Sequence, residues 1–234
     1  GGGVMAIMLI ERQPAGDVNR QWAACSMNSD GTKMMAGVWW GRLYTSSDSG
    51  ATWIERQPAG ATDKNWVACS MSSDGSKMMA GVFGGRLYTS TNGGTTWIER
   101  FPAGNIEKNW RITAMSSDGS KMMAGVSGGR LYVSSDSGAT WTITPVPGLI
   151  DANWLSCSMS SDGSKMMAGV DGGRLYVSSD SGATWIERQP AGDVNRQWYT
   201  CSMNSDGTKM MAGAYNGRLY VSSDSGATWI ERQP

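Results

Sequence analysis

The chain contains no histidine. That removes the commonest general base and the commonest metal ligand together. It has no surplus of either charge: Lys plus Arg is 20, Asp plus Glu is 20, and the net charge is zero. A general affinity for nucleic acid or for anionic membranes needs a basic face, so neither is expected as a partner. Phenylalanine is scarce, with two copies. No apolar run approaches the roughly 18 residues of a membrane span. No nucleophile elbow, phosphate-cradling glycine loop or Cys-x-x-Cys pair occurs, so no cofactor and no metal are expected.

What is present is repetition. Gly is high at 32 and Trp at 12. The stretch Ser46-Ser-Asp-Ser-Gly-Ala-Thr-Trp53 recurs four times, ending at Trp97, Trp141, Trp185 and Trp229, each 44 residues after the last. A fixed period of this size signals a propeller, solenoid or array. The copies run 10–53, 54–97, 98–141, 142–185 and 186–229. Residues 1–9 form a non-repeat N-terminal segment, apolar from Val4 to Leu9 and without a basic start, so a short strand is expected rather than a secretory signal. Residues 230–234 begin a sixth copy and stop. The cysteines, Cys25, Cys69, Cys157 and Cys201, share one repeat position, with Thr113 in the third copy. One per unit at an equivalent site suits buried free thiols better than disulfides.

Each copy predicts four short strands. In the first these are Trp22–Met27, Lys33–Val38, Arg42–Thr45 and Ala51–Arg56, separated by glycine-containing turns. Four antiparallel strands make one blade-like unit, which cannot bury both of its faces alone; stacked neighbours can. The expectation is an all-β chain, a five-bladed β-propeller of five 44-residue four-stranded repeats, with an open solenoid as the alternative.

The eight-residue stretch resembles the Asp-box, Ser-x-Asp-x-Gly-x-Thr-Trp, of the BNR-type repeat propellers. Asp48, Trp53, Asp136, Trp141, Asp180, Trp185, Asp224 and Trp229 match, and the second copy carries Asn92 before Trp97. The wider unit is similar to the repeats of photosystem II assembly-factor propellers. The resemblance covers about 220 of the 234 residues. It implies a hairpin corner whose Asp accepts backbone hydrogen bonds and whose Trp tucks into the blade, with calcium binding as the alternative. It leans towards a secreted or cell-surface setting without fixing the compartment.

The copies hardly vary at one end and vary freely at the other. Antiparallel connections alternate between the two ends of a unit, so the turn after strand two and the loop between units share a rim. There the copies read Trp39-Trp40, Phe83-Gly84, Ser127-Gly128, Asp171-Gly172 and Tyr215-Asn216. Ala23, Val67, Arg111, Leu155 and Tyr199 vary as well. In a closed ring Trp39, Trp40, Phe83, Tyr215 and Tyr199 form one patch, with Arg111 on the same rim. Exposed aromatics there stack on sugars or anchor a protein partner; the plainer alternative is that they cover neighbouring units.

Every copy opens its third strand with Arg: Arg42, Arg86, Arg130, Arg174 and Arg218. Such a ring suits an anion. Pairing with strand-four Glu (Glu55, Glu99, Glu187, Glu231) is the structural alternative, which the third copy lacks. Sialidases also carry Asp-boxes, but their chemistry implies an arginine triad with a tyrosine nucleophile, a Glu partner and an acid. Here Arg and Tyr occur as repeat positions, and Glu107 is the one Glu outside the pattern. Without unlike groups converging, or a carboxylate pair, no enzyme is expected.

The leading reading is a non-enzymatic platform that binds a protein through the variable rim. The alternatives are a lectin using the aromatic turns or interblade clefts, and a structural or designed repeat protein without a ligand. The near identity of copies one and five fits duplication and design equally. The ends carry one strand-four segment too many, since Ile10-Glu-Arg-Gln-Pro14 repeats as Ile230-Glu-Arg-Gln-Pro234. One is expected to clasp the ring closed and the other to lie over the surface or pair with a second molecule, giving a monomer or self-association through the duplicated ends.

Overall fold

A computed structural model describes residues 10–233. The expected strand within residues 1–9 lies outside the described residues. Among those described every regular element is a strand, and no helix is long and apolar enough to cross a membrane. The first unit is β1 (Trp22–Met27), β2 (Met34–Val38), β3 (Leu43–Ser46) and β4 (Ile54–Arg56). The second is β5 (Trp66–Met71), β6 (Met78–Gly85), β7 (Leu87–Ser90) and β8 (Ile98–Arg100). The third is β9 (Lys108–Met115), β10 (Met122–Gly129), β11 (Leu131–Ser134) and β12 (Thr142–Ile143). The fourth is β13 (Ala152–Met159), β14 (Met166–Val170), β15 (Leu175–Ser178) and β16 (Ile186–Arg188). The fifth is β17 (Trp198–Met203), β18 (Met210–Ala214), β19 (Leu219–Ser222) and β20 (Ile230–Arg232). Within each unit the strands pair antiparallel in sequence order.

The two faces of a unit carry different residues, because side chains alternate along a strand. One face presents Trp66, Met78, Ala80 and Tyr88 to the unit before it, where Met35 and Leu43 pack. The other presents Met79 and Leu87 to Trp110, Met122, Ala124 and Tyr132 of the unit after. The same set recurs between the fourth and fifth units, with Met167 and Leu175 against Trp198, Met210, Ala212 and Tyr220. Each junction is thus a core shared by two units, and no unit owns one. Gly37 marks how close the backbones come: a Cβ there would lie 2.8 Å from the Trp66 Cβ.

Hydrogen bonds fasten the junctions at both ends. At the invariant end the Ser29 N–H donates to the Ser73 carbonyl (3.0 Å), Ser73 to Ser117 (2.8 Å), Ser117 to Ser161 (2.7 Å) and Ser161 to Ser205 (2.7 Å). At the variable end Gly41 bridges to Lys64, and Gly173 to Arg196. Likewise β6 pairs with β9 through Phe83 and Asn109, and β10 with β13 through Ser127 and Asn153.

Four junctions join the five units, and among the described residues no fifth joins the last unit to the first. Trp66, Trp110, Trp154 and Trp198 are 1–2% exposed, whereas Trp22 is 42% exposed. Met35, Met79, Met123 and Met167 are at most 1% exposed, whereas Met211 is 41% exposed. Neither duplicated end acts as the expected clasp. Ile230–Arg232 is the regular outer strand of the fifth unit, paired to β19. Residues 10–13 belong to no strand, and Ile10 is exposed. The structural unit is therefore offset from the counted repeat: it starts at the first-strand Trp and ends after Ile-Glu-Arg.

The cysteines are free. Cys69, Cys157 and Cys201 are half-buried, while Cys25, on the uncovered face of the first unit, is exposed. Burial raises the thiols of Cys69 and Cys157, and pushes Cys201 up to about 12. Protonated thiols are poor nucleophiles, so these three are packing groups.

Candidate binding rim

The two rims have different chemistry, and the repeated Ser-x-Asp-x-Gly-x-Thr-Trp hairpin, the box of each unit, shows why one of them is fixed. In the first copy the Ser46 hydroxyl donates to Asp48 (2.8 Å) and accepts from the Gly50 N–H (2.9 Å). Asp48 also accepts from the Thr52 N–H (2.8 Å) and from its hydroxyl (2.5 Å). The Trp53 indole N–H donates to the Gly50 carbonyl at 3.0 Å. Ser49 and Gly50 take φ of 59° and 78°, which suits glycine far better than serine; the side-chain bonds hold Ser49 there. The hydroxyl of Thr52 foremost, then its N–H, brings the Asp48 carboxyl down to about 2 from an ordinary 3.8. Asn92 reproduces the arrangement in the second copy, accepting from the Thr96 N–H and donating from its amide to the Thr96 hydroxyl (2.8 Å). Each box is tied to the turn after its unit's first strand, as in the Ser49 N–H to Thr32 carbonyl bond of 2.8 Å. The carboxylates are consumed by local bonds. Among the described residues no group of three potential metal ligands occurs.

The variable rim is built on a bulge that the sequence did not announce. In β1, Trp22 pairs with Val38 and Ala24 with Gly37, which leaves Ala23 unpaired. The same slip leaves out Val67, Arg111, Leu155 and Tyr199. A bulge re-aims one side chain and strengthens the local twist. The five positions that vary along the first strands are therefore five bulge residues, freed from the ladder and from its constraints. The signal in the sequence was their variation alone; the bulge itself depends on cross-strand register.

Aromatics at this rim fall into two groups. Trp39 and Phe83 lie 5.6 Å apart across the first junction, and both are half-buried. Tyr199 and Tyr215 lie 5.8 Å apart on the fifth unit, both more than half exposed. Trp40 is 67% exposed, at φ 57°, with its N–H donated to the Asn65 side chain at 3.0 Å. Among the described residues no ring pairing links the two groups, because the fifth unit does not pack on the first. Arg111 is half-buried on β9, between them in chain order, with no ion pair among the described residues.

The repeated arginines are each matched by carboxylates of the neighbouring loop or outer strand. Arg42 lies 3.0 Å from Asp63 and 3.6 Å from Glu55. Arg86 is 3.3 Å from Glu99, and Arg218 is 3.4 Å from Glu231. Arg174 contacts Glu187 at 3.5 Å and Asp193 at 2.5 Å. The third unit lacks the Glu and uses Asp151 instead, 3.1 Å from Arg130. Partly exposed pairs of this kind contribute about 0–1 kcal/mol each. Their arrangement favours pairing over an open anion ring.

No family model matches the chain, and no curated protein matches it as a relative. Solved structures do. A GH74 enzyme of Niastella koreensis superposes on 90% of this chain and 38% of its own, with a TM-score of 0.73 at 17% identity. YCF48 bound to D1 peptide superposes on 93% of this chain and 86% of its own, with a TM-score of 0.59 at 14% identity. YCF48 from Cyanidioschyzon merolae covers 92% of this chain and 72% of its own, with a TM-score of 0.65 at 14% identity. The fold is that of a β-propeller. At such identities the likeness carries the fold alone. The chain spans well under half of the GH74 enzyme and most of YCF48, and the propeller's own rim must carry any functional reading.

Proposed function

We propose that this chain is a non-enzymatic propeller of five blades that serves as a binding platform, taking an extended segment of a protein across its variable rim. One observation carries the reading. Within a single chain, the box-bearing rim is held nearly constant, while the opposite rim varies at all five bulge residues and at every turn after the second strand. Variation confined to one rim of a repeated scaffold is how such scaffolds present a binding surface. Exposed Trp40, Tyr199 and Tyr215 supply the aromatic anchors that protein interfaces favour. The YCF48 structure bound to D1 peptide is consistent with peptide capture by this fold.

A second reading is a carbohydrate-binding lectin, favoured by the stacked pairs Trp39–Phe83 and Tyr199–Tyr215 and by the GH74 neighbours. A third, with no ligand, treats the repeat as structure only. Paired peptide and glycan arrays separate them. The platform reading expects peptide binding that weakens about tenfold or more in the Trp39→Ala, Trp40→Ala double variant, with unchanged folding. Binding to glycans alone selects the lectin. Binding to neither leaves the ligand-free reading.

A further inference from the structure

The two uncovered faces at the ends of the stack are the two halves of one junction. The outer face of the fifth unit presents Met211, Leu219 and Val221, counterparts of Met35, Leu43 and Thr45. A hollow of about 510 Å3 there is lined by Met203, Met211, Val221 and Ile230 together with Lys209 and Arg232. The outer face of the first unit presents Trp22, Met34, Ala36 and Cys25. Their counterparts Met78, Met122, Met166 and Met210 are at most 2% exposed, and Ala80, Ala124, Ala168 and Ala212 are at 0%.

We propose that these faces join head to tail between copies of this chain, the fifth unit of one packing against the first unit of the next through the same interface that recurs four times within the chain. The argument is geometric. The four internal junctions use equivalent core residues and the same serine backbone ladder, so each repeats one mode of packing from a unit to the next. Four such steps do not bring the fifth unit onto the chain's own first unit. All five units line one channel with the ends of their first strands, yet the outer faces of the first and fifth units stay unmatched, and a second copy supplies the missing partner for either face. An interface whose two sides differ is heterologous, and it adds copies until it closes or grows.

The polar groups at the seam agree. The serine ladder stops at Ser205, whose N–H has no such acceptor among the described residues; the carbonyl of Ser29 in a second copy occupies the equivalent place. Lys77, Lys121 and Lys165 each donate to a hydroxyl in the next unit's box, Ser137, Ser181 and Ser225, at 2.9–3.0 Å. Lys165 also donates to the Asp206 carbonyl at 3.0 Å, and Lys33, facing Gly93 where the others have serine, makes only that carbonyl bond, to Asp74 at 2.9 Å. Lys209 is exposed and makes neither bond among the described residues; Ser49 and Asp30 of a second copy complete its set.

Light scattering over a range of concentrations tests this on the full chain. The expected result is a mass that rises with concentration above the 25.0 kDa of one chain. Met211→Glu and Ala36→Glu each place a charge on one half of the seam and are expected to stay monomeric alone. Mixed in equal amounts they are expected to give a mass of two chains, since each supplies the face that the other lacks. Circular dichroism of both variants checks that they fold. A thiol reagent is expected to label Cys25 in dilute wild type and to lose access to it as the mass rises. A wild-type mass of one chain at every concentration overturns the proposal. So does a wild-type oligomer that either variant leaves intact, or a mixture that stays monomeric.

Discussion

At the scale of the residue, the box aspartates do the most identifiable work. Asp48, Asp136 and Asp224 are each brought down to about 2 by the hydroxyl and N–H of the following threonine. Asp74 and Asp118, in the turns after the first strands, are brought down to about 2 by serine hydroxyls and N–H groups. A carboxylate whose folded pKa lies below its unfolded value stabilises the fold fully above the unfolded value, and that contribution is lost as pH falls towards the folded one. Stability is therefore expected to fall steeply between about pH 4 and pH 2, measured as the denaturant midpoint against pH. Asp48→Asn is expected to flatten that dependence slightly while keeping the hairpin, because Asn92 already makes the same bonds. The role of these residues was legible in the sequence, since every partner lies within four positions. The bulge at Ala23, Val67, Arg111, Leu155 and Tyr199 was not, because it exists only relative to a partner strand.

At the scale of the element, one position separates the units. Arg56 and Arg100, on β4 and β8, donate their Nε–H to Thr45 and Thr89 at 2.8 and 2.7 Å. In the fourth unit Val177 stands at that place, and the buried Nε of Arg188 has no partner. Leaving a buried donor unpaired costs about 1–3 kcal/mol, and a hydrogen bond to a charged group contributes about 1.5–3 kcal/mol. Thr89→Val is expected to lower stability by about 1–3 kcal/mol, and Val177→Thr to raise it by about 1 kcal/mol, both read from equilibrium urea unfolding. Opposite signs at equivalent sites isolate the hydroxyl from the methyl. Strand order and number were legible in the period, and the first-strand bounds came out as expected. The second, third and fourth strands start later than expected, at Met34, Leu43 and Ile54. The two-residue β12 follows from Thr144 and Pro145; proline has no N–H for a ladder.

At the scale of the whole molecule, the junction rather than the unit is what is stable. Each unit's forward methionine and leucine complete the core of the next, so an interior unit is exchangeable for another. Deletion of residues 54–97, one full period, places Met35 and Leu43 against Trp110 and Tyr132, the same partners by type. The shortened chain is expected to fold with a cooperative melt, seen by circular dichroism, at a lower midpoint because one junction is gone. Deleting half that length leaves the second unit incomplete and its two junctions unmatched, and is expected to lower the midpoint further than the full-period deletion does. The repeat count was legible from the tryptophans alone. Whether the stack closes was not: closure depends on the rotation at each junction, and no pattern of apolar residues encodes an angle.

The equivalence of the four junctions reaches back to the gene. Near-identical repeats are substrates for unequal crossing-over, which adds or removes one period at a time. In most folds such an event splices incompatible surfaces and the product is lost. Here each product meets its neighbours with faces that already fit. A change of repeat number by whole periods is thus expected to leave every junction matched, and the tips of the second-strand turns are where one copied unit is free to differ from another.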